Sequence, residues 1–65
     1  MTHLKISLKA ARINAGLTQT EAAKRIDVSA STIKNWEAGT SFPSQPKIDK
    51  LCEVYDISYD NIKFF

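Results

Sequence analysis

The chain has little with which to staple or bend itself. Its single cysteine, Cys52, cannot form an internal disulfide, which excludes the cross-linked mini-protein frameworks of secreted domains. Cys52 is expected to be a small core residue rather than a reactive thiol. Two glycines and two prolines are too few for the dense turns of a small barrel or sandwich. Apolar runs do not exceed three residues, so no segment is expected to span a membrane. The N-terminus lacks the ordered basic, apolar and cleavage regions of a secretory leader. One histidine, His3, stands near the chain end, which excludes a His-based metal site or catalytic pair. The carboxylates are scattered rather than paired, and no Gly-rich phosphate loop is present. The expectation is therefore a protein without catalytic residues, metal, cofactor or small-molecule substrate.

What is present fits a single small globular domain over residues 1–65. A chain of this size buries only about 60% of the surface its unfolded form exposes, so near-ideal local structure or a partner has to help. Hydrophobic residues make up 43% and charged residues 25%, ordinary for a folded domain and wrong for a disordered one. The net charge of +2 is uninformative as a total. Its distribution says more. Residues 1–40 hold six basic and three acidic side chains, whereas residues 41–65 hold three basic and four acidic. The first part leans toward an anionic partner.

The apolar spacing predicts short helices. A first helix is expected from about Thr2 to Ala15, with Leu4, Leu8, Ala11 and Ala15 on one face and Gly16 as the stop. A second starts at a capping box, Thr18-Gln19-Thr20-Glu21, and runs to about Ile26 with Ala22, Ala23 and Ile26 inward. A third starts near Ser29, points Ile33 and Trp36 inward, and ends at Gly39. Thr40–Gln45 reads as a loop. A fourth begins around Pro46 with Ile48, Leu51, Cys52 and Tyr55 at i, i+3, i+4 and i+7. A last short helix is expected from Ser58, including Tyr59 and Ile62. No segment alternates, so the fold class is all-α with five short helices.

Between Gln19 and Ala38, two short helices meet through Asp27-Val28-Ser29. The first carries a small residue, Ala23, where a close helix crossing needs one. The second opens on small polar residues and continues through Lys34 and Asn35. This is the arrangement in which one helix braces and the next fits a DNA major groove about 12 Å wide. The string Arg12…Gly16-Leu17-Thr18-Gln19…Glu21…Ala23…Ile26-Asp27-Val28-Ser29…Thr32-Ile33…Trp36-Glu37…Gly39…Pro43 resembles the helix-turn-helix family of phage Cro and repressor proteins, the XRE type. Ile48…Leu51-Cys52…Tyr55…Ile57-Ser58 is similar to that family's last two helices. The resemblance covers about residues 4–62.

The resemblance implies a lambda-repressor-like domain that binds a double-stranded DNA operator, usually as a symmetric homodimer, inside a bacterial or phage-infected cytoplasm. It implies that Gln19 grips a phosphate and that Ala30, Ser31, Lys34 and Asn35 face bases, with Ser29 and Thr32 beside them. Lys34 suits guanine O6 and N7, Asn35 suits adenine N6 and N7, and Ala30 or the Thr32 methyl suits a thymine methyl. Asn35 holding a phosphate, and Thr32 facing the helix packing, remain open alternatives. Thr40 and Ser41 are within reach of backbone phosphates or belong to a plain loop. Arg12 and Glu37 match a partly buried ion pair between the first and third helices, a structural role without base contact.

Two positions depart from the family pattern. Asp27 replaces the usual turn glycine, which Asp tolerates at some strain. Ala22 replaces a leucine and leaves space for Trp36 or Phe42. The terminal Phe64 and Phe65 either form a dimer surface or fold back onto the first helix. Two other functions fit the same features: an antitoxin-type regulator that also binds a toxin, and a protein-interaction module without DNA binding.

Overall fold

The computed structural model describes residues 5–64. Its elements, in chain order, are β1 (Ile6–Ser7), α1 (Leu8–Asn14), α2 (Gln19–Ile26), α3 (Ala30–Ala38), α4 (Gln45–Tyr55), a single 3₁₀ turn (Tyr59–Asn61) and β2 (Ile62–Lys63). The fold is mainly helical, with four α-helices rather than five.

Both ends of the described chain depart from the sequence-based expectation. The first helix starts at Leu8, not near Thr2. Ser7 adopts an extended conformation and its Oγ accepts the Ala10 N–H at 3.1 Å, which caps α1 at that point. Thr2, His3 and Leu4 lie outside the described residues. Of the expected inner face, Leu8 and Ala11 are buried but Ala15 is exposed. Arg12 takes the buried place instead. At the other end, the expected helix from Ser58 is only the one 3₁₀ turn. Ile62 then extends and pairs with Ile6, and Lys63 with Ser7, in a two-strand parallel ladder. The physical reason is long-range. Ile62 is buried in the core beside half-buried Ile6, and two residues are too short to show alternation in a sequence.

The helix ends follow local chemistry. In α2 the Thr18 Oγ1 accepts the Glu21 N–H at 3.1 Å, and Glu21 Oε1 accepts the Thr18 N–H at 2.8 Å. Hydrogen bonds from Thr18, first its backbone N–H and then its side chain, hold the exposed Glu21 carboxyl below its ordinary pKa. The chain leaves α2 through Asp27 in the left-handed region (φ 66°, ψ 49°), where Val28 N–H reaches back to the Ala23 carbonyl at 3.0 Å. Lys47 of α4 donates to the Ile26 carbonyl at 3.4 Å, placing a cation at this C-terminus. Gly39 ends α3 at φ 79°, and Asp56 ends α4 at φ 52°.

The core is Leu8, Ala11, Ala22, Ala23, Ile26, Ile33, Trp36, Leu51, Tyr55 and Ile62. Ala22 is fully covered and Ala23 nearly so, which lets α2 lie close to α3 and α4. Trp36 shares the cluster with Ala22. Phe42 does not fill that space: it is 52% exposed, and its ring packs on Phe64.

Asp27 is, with Asp56, one of two left-handed aspartates among the described residues, and it is the one at the turn between α2 and α3. A left-handed L-residue costs roughly 1–2 kcal/mol, less for Asp, and a carboxylate at a helix C-terminus opposes the helix dipole. Asp27→Gly is expected to raise stability by about 0.5–1 kcal/mol after the larger chain entropy of glycine is counted. A urea midpoint at or below that of the parent chain rules this out.

Candidate nucleic-acid interface

Helix α3 is amphipathic about its long axis. Ile33 and Trp36 face the core, with exposures of 1% and 6%. Ala30, Ser31, Lys34, Asn35 and Ala38 are all exposed. Their spacing of i, i+1, i+4, i+5 and i+8 puts them on one side, opposite the buried pair. Ala38 was not singled out by sequence reasoning. Its signal was available, since it follows Lys34 by four residues on the same face.

Four expected contact residues have local tasks. Ser29 Oγ accepts the Thr32 N–H at 3.1 Å and lies 2.9 Å from Thr32 Oγ1, so both hydroxyls build the N-terminal cap of α3. The Thr40 hydroxyl donates to the Asn35 carbonyl at 3.2 Å, and the Thr40 N–H does so at 3.0 Å, closing the C-terminal end. Gln19, first residue of α2, donates from Nε2 to Glu37 Oε1 at 3.1 Å. Ser41 is exposed in the following loop.

The braces of this face converge on one guanidinium. Arg12 Nε donates to Glu37 Oε2 at 2.7 Å and Nη2 to Oε1 at 3.3 Å. Arg12 Nη1 donates to the Leu17 carbonyl at 2.9 Å. The two charged side chains are only 9% and 7% exposed. Bidentate pairing is the geometry in which an arginine best satisfies a carboxylate. The bond to Glu37 raises the Arg12 pKa against the opposing effect of burial. The pair links α1 to α3, while Leu17 and Gln19 add the start of α2. Nearby Tyr55 is pushed up to about 12, chiefly by burial and further by the charge of Glu37. Cys52 is half-buried, and burial raises its thiol pKa.

An exposed polar helix face, braced by a preceding helix through a three-residue turn, defines the helix-turn-helix class. Residues 8–62 match the helix-turn-helix family, and the chain belongs to it, in the XRE type. Among curated proteins, it is similar to "Antitoxin PezA" of Streptococcus pneumoniae serotype 4 (strain ATCC BAA-334 / TIGR4), at 34% identity over 56 residues, 86% of this chain and 35% of that protein. It is also similar to "HTH-type transcriptional regulator ImmR" of Bacillus subtilis (strain 168), at 36% identity over 53 residues, 82% of this chain and 42% of that protein. The chain thus spans under half the length of either relative. No solved structure matches it.

Removing one partner of the Arg12–Glu37 pair leaves a buried, unpaired charge. Glu37→Ala is expected to destabilise by about 3–5 kcal/mol, a large share of the stability of a domain this small. Thermal melting tests this, and an unchanged midpoint removes the pair as a brace.

Proposed function

We propose that this chain is a non-enzymatic regulator of transcription that binds double-stranded DNA sequence-specifically, with α3 in the major groove. The observation that carries this reading is the exposed face of Ala30, Ser31, Lys34, Asn35 and Ala38 on a helix capped at both ends and braced by α2. Lys34 reads guanine O6 and N7, and Asn35 reads adenine N6 and N7. Ala30 and Ala38 offer methyl groups to thymine. Ser31 supports these contacts from the first turn. Gln19 meets a phosphate at the N-terminus of α2, where helix amides favour an anion. Ser29 and Thr32 act by fixing the helix start, and Thr40 by fixing its end. Ser41 lies next to the phosphate backbone. The place of action is the bacterial cytoplasm.

Such a module buries only about 600–1,000 Å² on DNA, so one copy binds weakly. We propose that two copies bind a symmetric operator with half-sites about 34–36 Å apart. A surface suited to holding two copies together lies beside the loop that leaves α3. Phe42 and Tyr59 are both more than half exposed and flank Phe64, with ring centroids at 5.1 and 5.8 Å. Phe64 is half-buried against the core, while Phe65 lies outside the described residues. Lys5, Asp60 and Lys63 line the same cleft. A two-fold contact there can set Asp60 of one copy against a lysine of the other.

The likeness to PezA favours a second reading, in which this domain serves an antitoxin-type regulator that also binds a toxin. It adds a protein partner to DNA binding rather than replacing it.

Selection of bound sequences from random duplex DNA tests the main reading. The expected result is a symmetric motif, with Lys34→Ala costing about 1–3 kcal/mol and relaxing one position. Equal binding to all sequences with only a steep salt dependence removes sequence-specific recognition.

The dimer has its own test in sedimentation with and without the selected duplex. Two copies per operator are expected. The variant Phe42→Ser/Tyr59→Ser is expected to lose that stoichiometry while remaining folded, with a lower melting temperature from the lost ring contacts to Phe64. One copy per duplex in the parent chain excludes the dimer.

A further inference from the structure

We infer that Glu37 is a positioning residue for DNA binding, acting through the side-chain amide of Gln19, and not only half of a structural ion pair. This rests on the proposed phosphate contact of Gln19.

The geometry is specific. Glu37 Oε2 accepts Arg12 Nε, and Oε1 accepts both Arg12 Nη2 at 3.3 Å and Gln19 Nε2 at 3.1 Å. The bidentate arginine prevents the carboxylate from turning about its own axis, so Oε1 is a fixed acceptor. A glutamine amide has two N–H donors and one carbonyl oxygen. With one N–H held by Oε1, both the plane and the sense of the amide are set. The second N–H is thereby presented at the start of α2. The backbone N–H groups of Gln19 and Thr20 sit there too, without intrahelical acceptors. Glu21 N–H is already taken by Thr18 Oγ1. A phosphate arriving at this corner meets a donor whose rotamer freedom was removed before binding.

Charge explains why the pair is needed in full. A lone carboxylate one hydrogen bond away from a phosphate would repel it. Arg12 neutralises Glu37 while leaving Oε1 an acceptor for Gln19. Arg12 is therefore the group that makes a glutamate usable at an anion-binding corner. The carboxylate itself does not touch DNA in this arrangement.

A double-mutant cycle separates positioning from bracing. In Arg12→Met/Glu37→Met the buried pair is replaced by apolar side chains, a change that is often neutral or stabilising, and Gln19 loses its acceptor. Operator affinity of the full chain is measured on the duplex recovered by selection, for the parent, Gln19→Ala, the double-Met variant and the triple variant. In the parent background Gln19→Ala is expected to cost about tenfold, the loss of one hydrogen bond to a charged group. In the double-Met background it is expected to cost less than about twofold, within ordinary additivity error. An equal cost in both backgrounds overturns the positioning role while leaving the phosphate contact standing. No cost in the parent background overturns the phosphate contact, and with it the positioning role.

A second measurement needs no variant. The Gln19 side-chain amide of the DNA-free protein is expected to show an NMR order parameter near that of rigid backbone, about 0.85. A value below about 0.6 overturns the inference even if the double-Met variant fails to fold.

Discussion

The Arg12 guanidinium is the point from which the geometry of this domain is set. One planar group reaches α1 through its own backbone, the α1–α2 connection through the Leu17 carbonyl, and α3 through Glu37. Gln19 joins from the first turn of α2. In a core built largely from alanine and isoleucine, apolar contacts are non-directional and tolerate small rotations of one helix over another. A nearly buried bidentate pair does not. It fixes how far α3 turns about its axis, and so which residues of α3 look outward.

The outward set is a consequence of two demands on the same helix. Ile33 and Trp36 must be covered, and Glu37 must reach Arg12. What remains is Ala30, Ser31, Lys34, Asn35 and Ala38, mostly small or polar. The caps add precision at both ends, since Ser29 with Thr32 and Gly39 with Thr40 fix where the helix starts and stops. Residues that look like donors to a ligand are here used by the helix itself. That division of labour, local hydroxyls for the scaffold and longer side chains for the surface, suits a short helix with few residues to spare.

The periphery is held by a different device. The ladder of β1 and β2 ties the chain ends together over Ile62, and the 3₁₀ turn delivers Phe64 against Phe42 and Tyr59. A small domain gains from pairing its first and last described elements, because opening of either would uncover part of a core that is already thin. The same closure leaves aromatic surface facing out next to the loop that leaves α3.

Much of this was legible in the sequence, for physical reasons. Capping chemistry acts over three residues, so Thr18 with Glu21, Ser29 before α3, and the stops at Gly16 and Gly39 announce themselves locally. Helical periodicity marks Ile33 with Trp36 and the Ile48-to-Tyr55 face, because burial repeats with the turn of the helix. Asp27 in place of glycine is readable too, since it must sit in the left-handed region to keep the turn. Other features depend on distance in space. The two-residue strands have no period to detect, and their pairing joins opposite ends of the chain. The start of α1 at Leu8 follows from that pairing, which draws Ile6 and Ser7 out of the helix. The bond from Gln19 to Glu37 crosses two helices, and nothing in either local string requires it. The sequence alone therefore determined α2 and α3 with their limits, the buried face of α4 and the class of fold. Only the packed structure decided which hydroxyls are consumed by caps, which carboxylate oxygen holds Gln19, and where Phe64 rests. Each of those depends on contacts between residues that the chain brings together only when it folds.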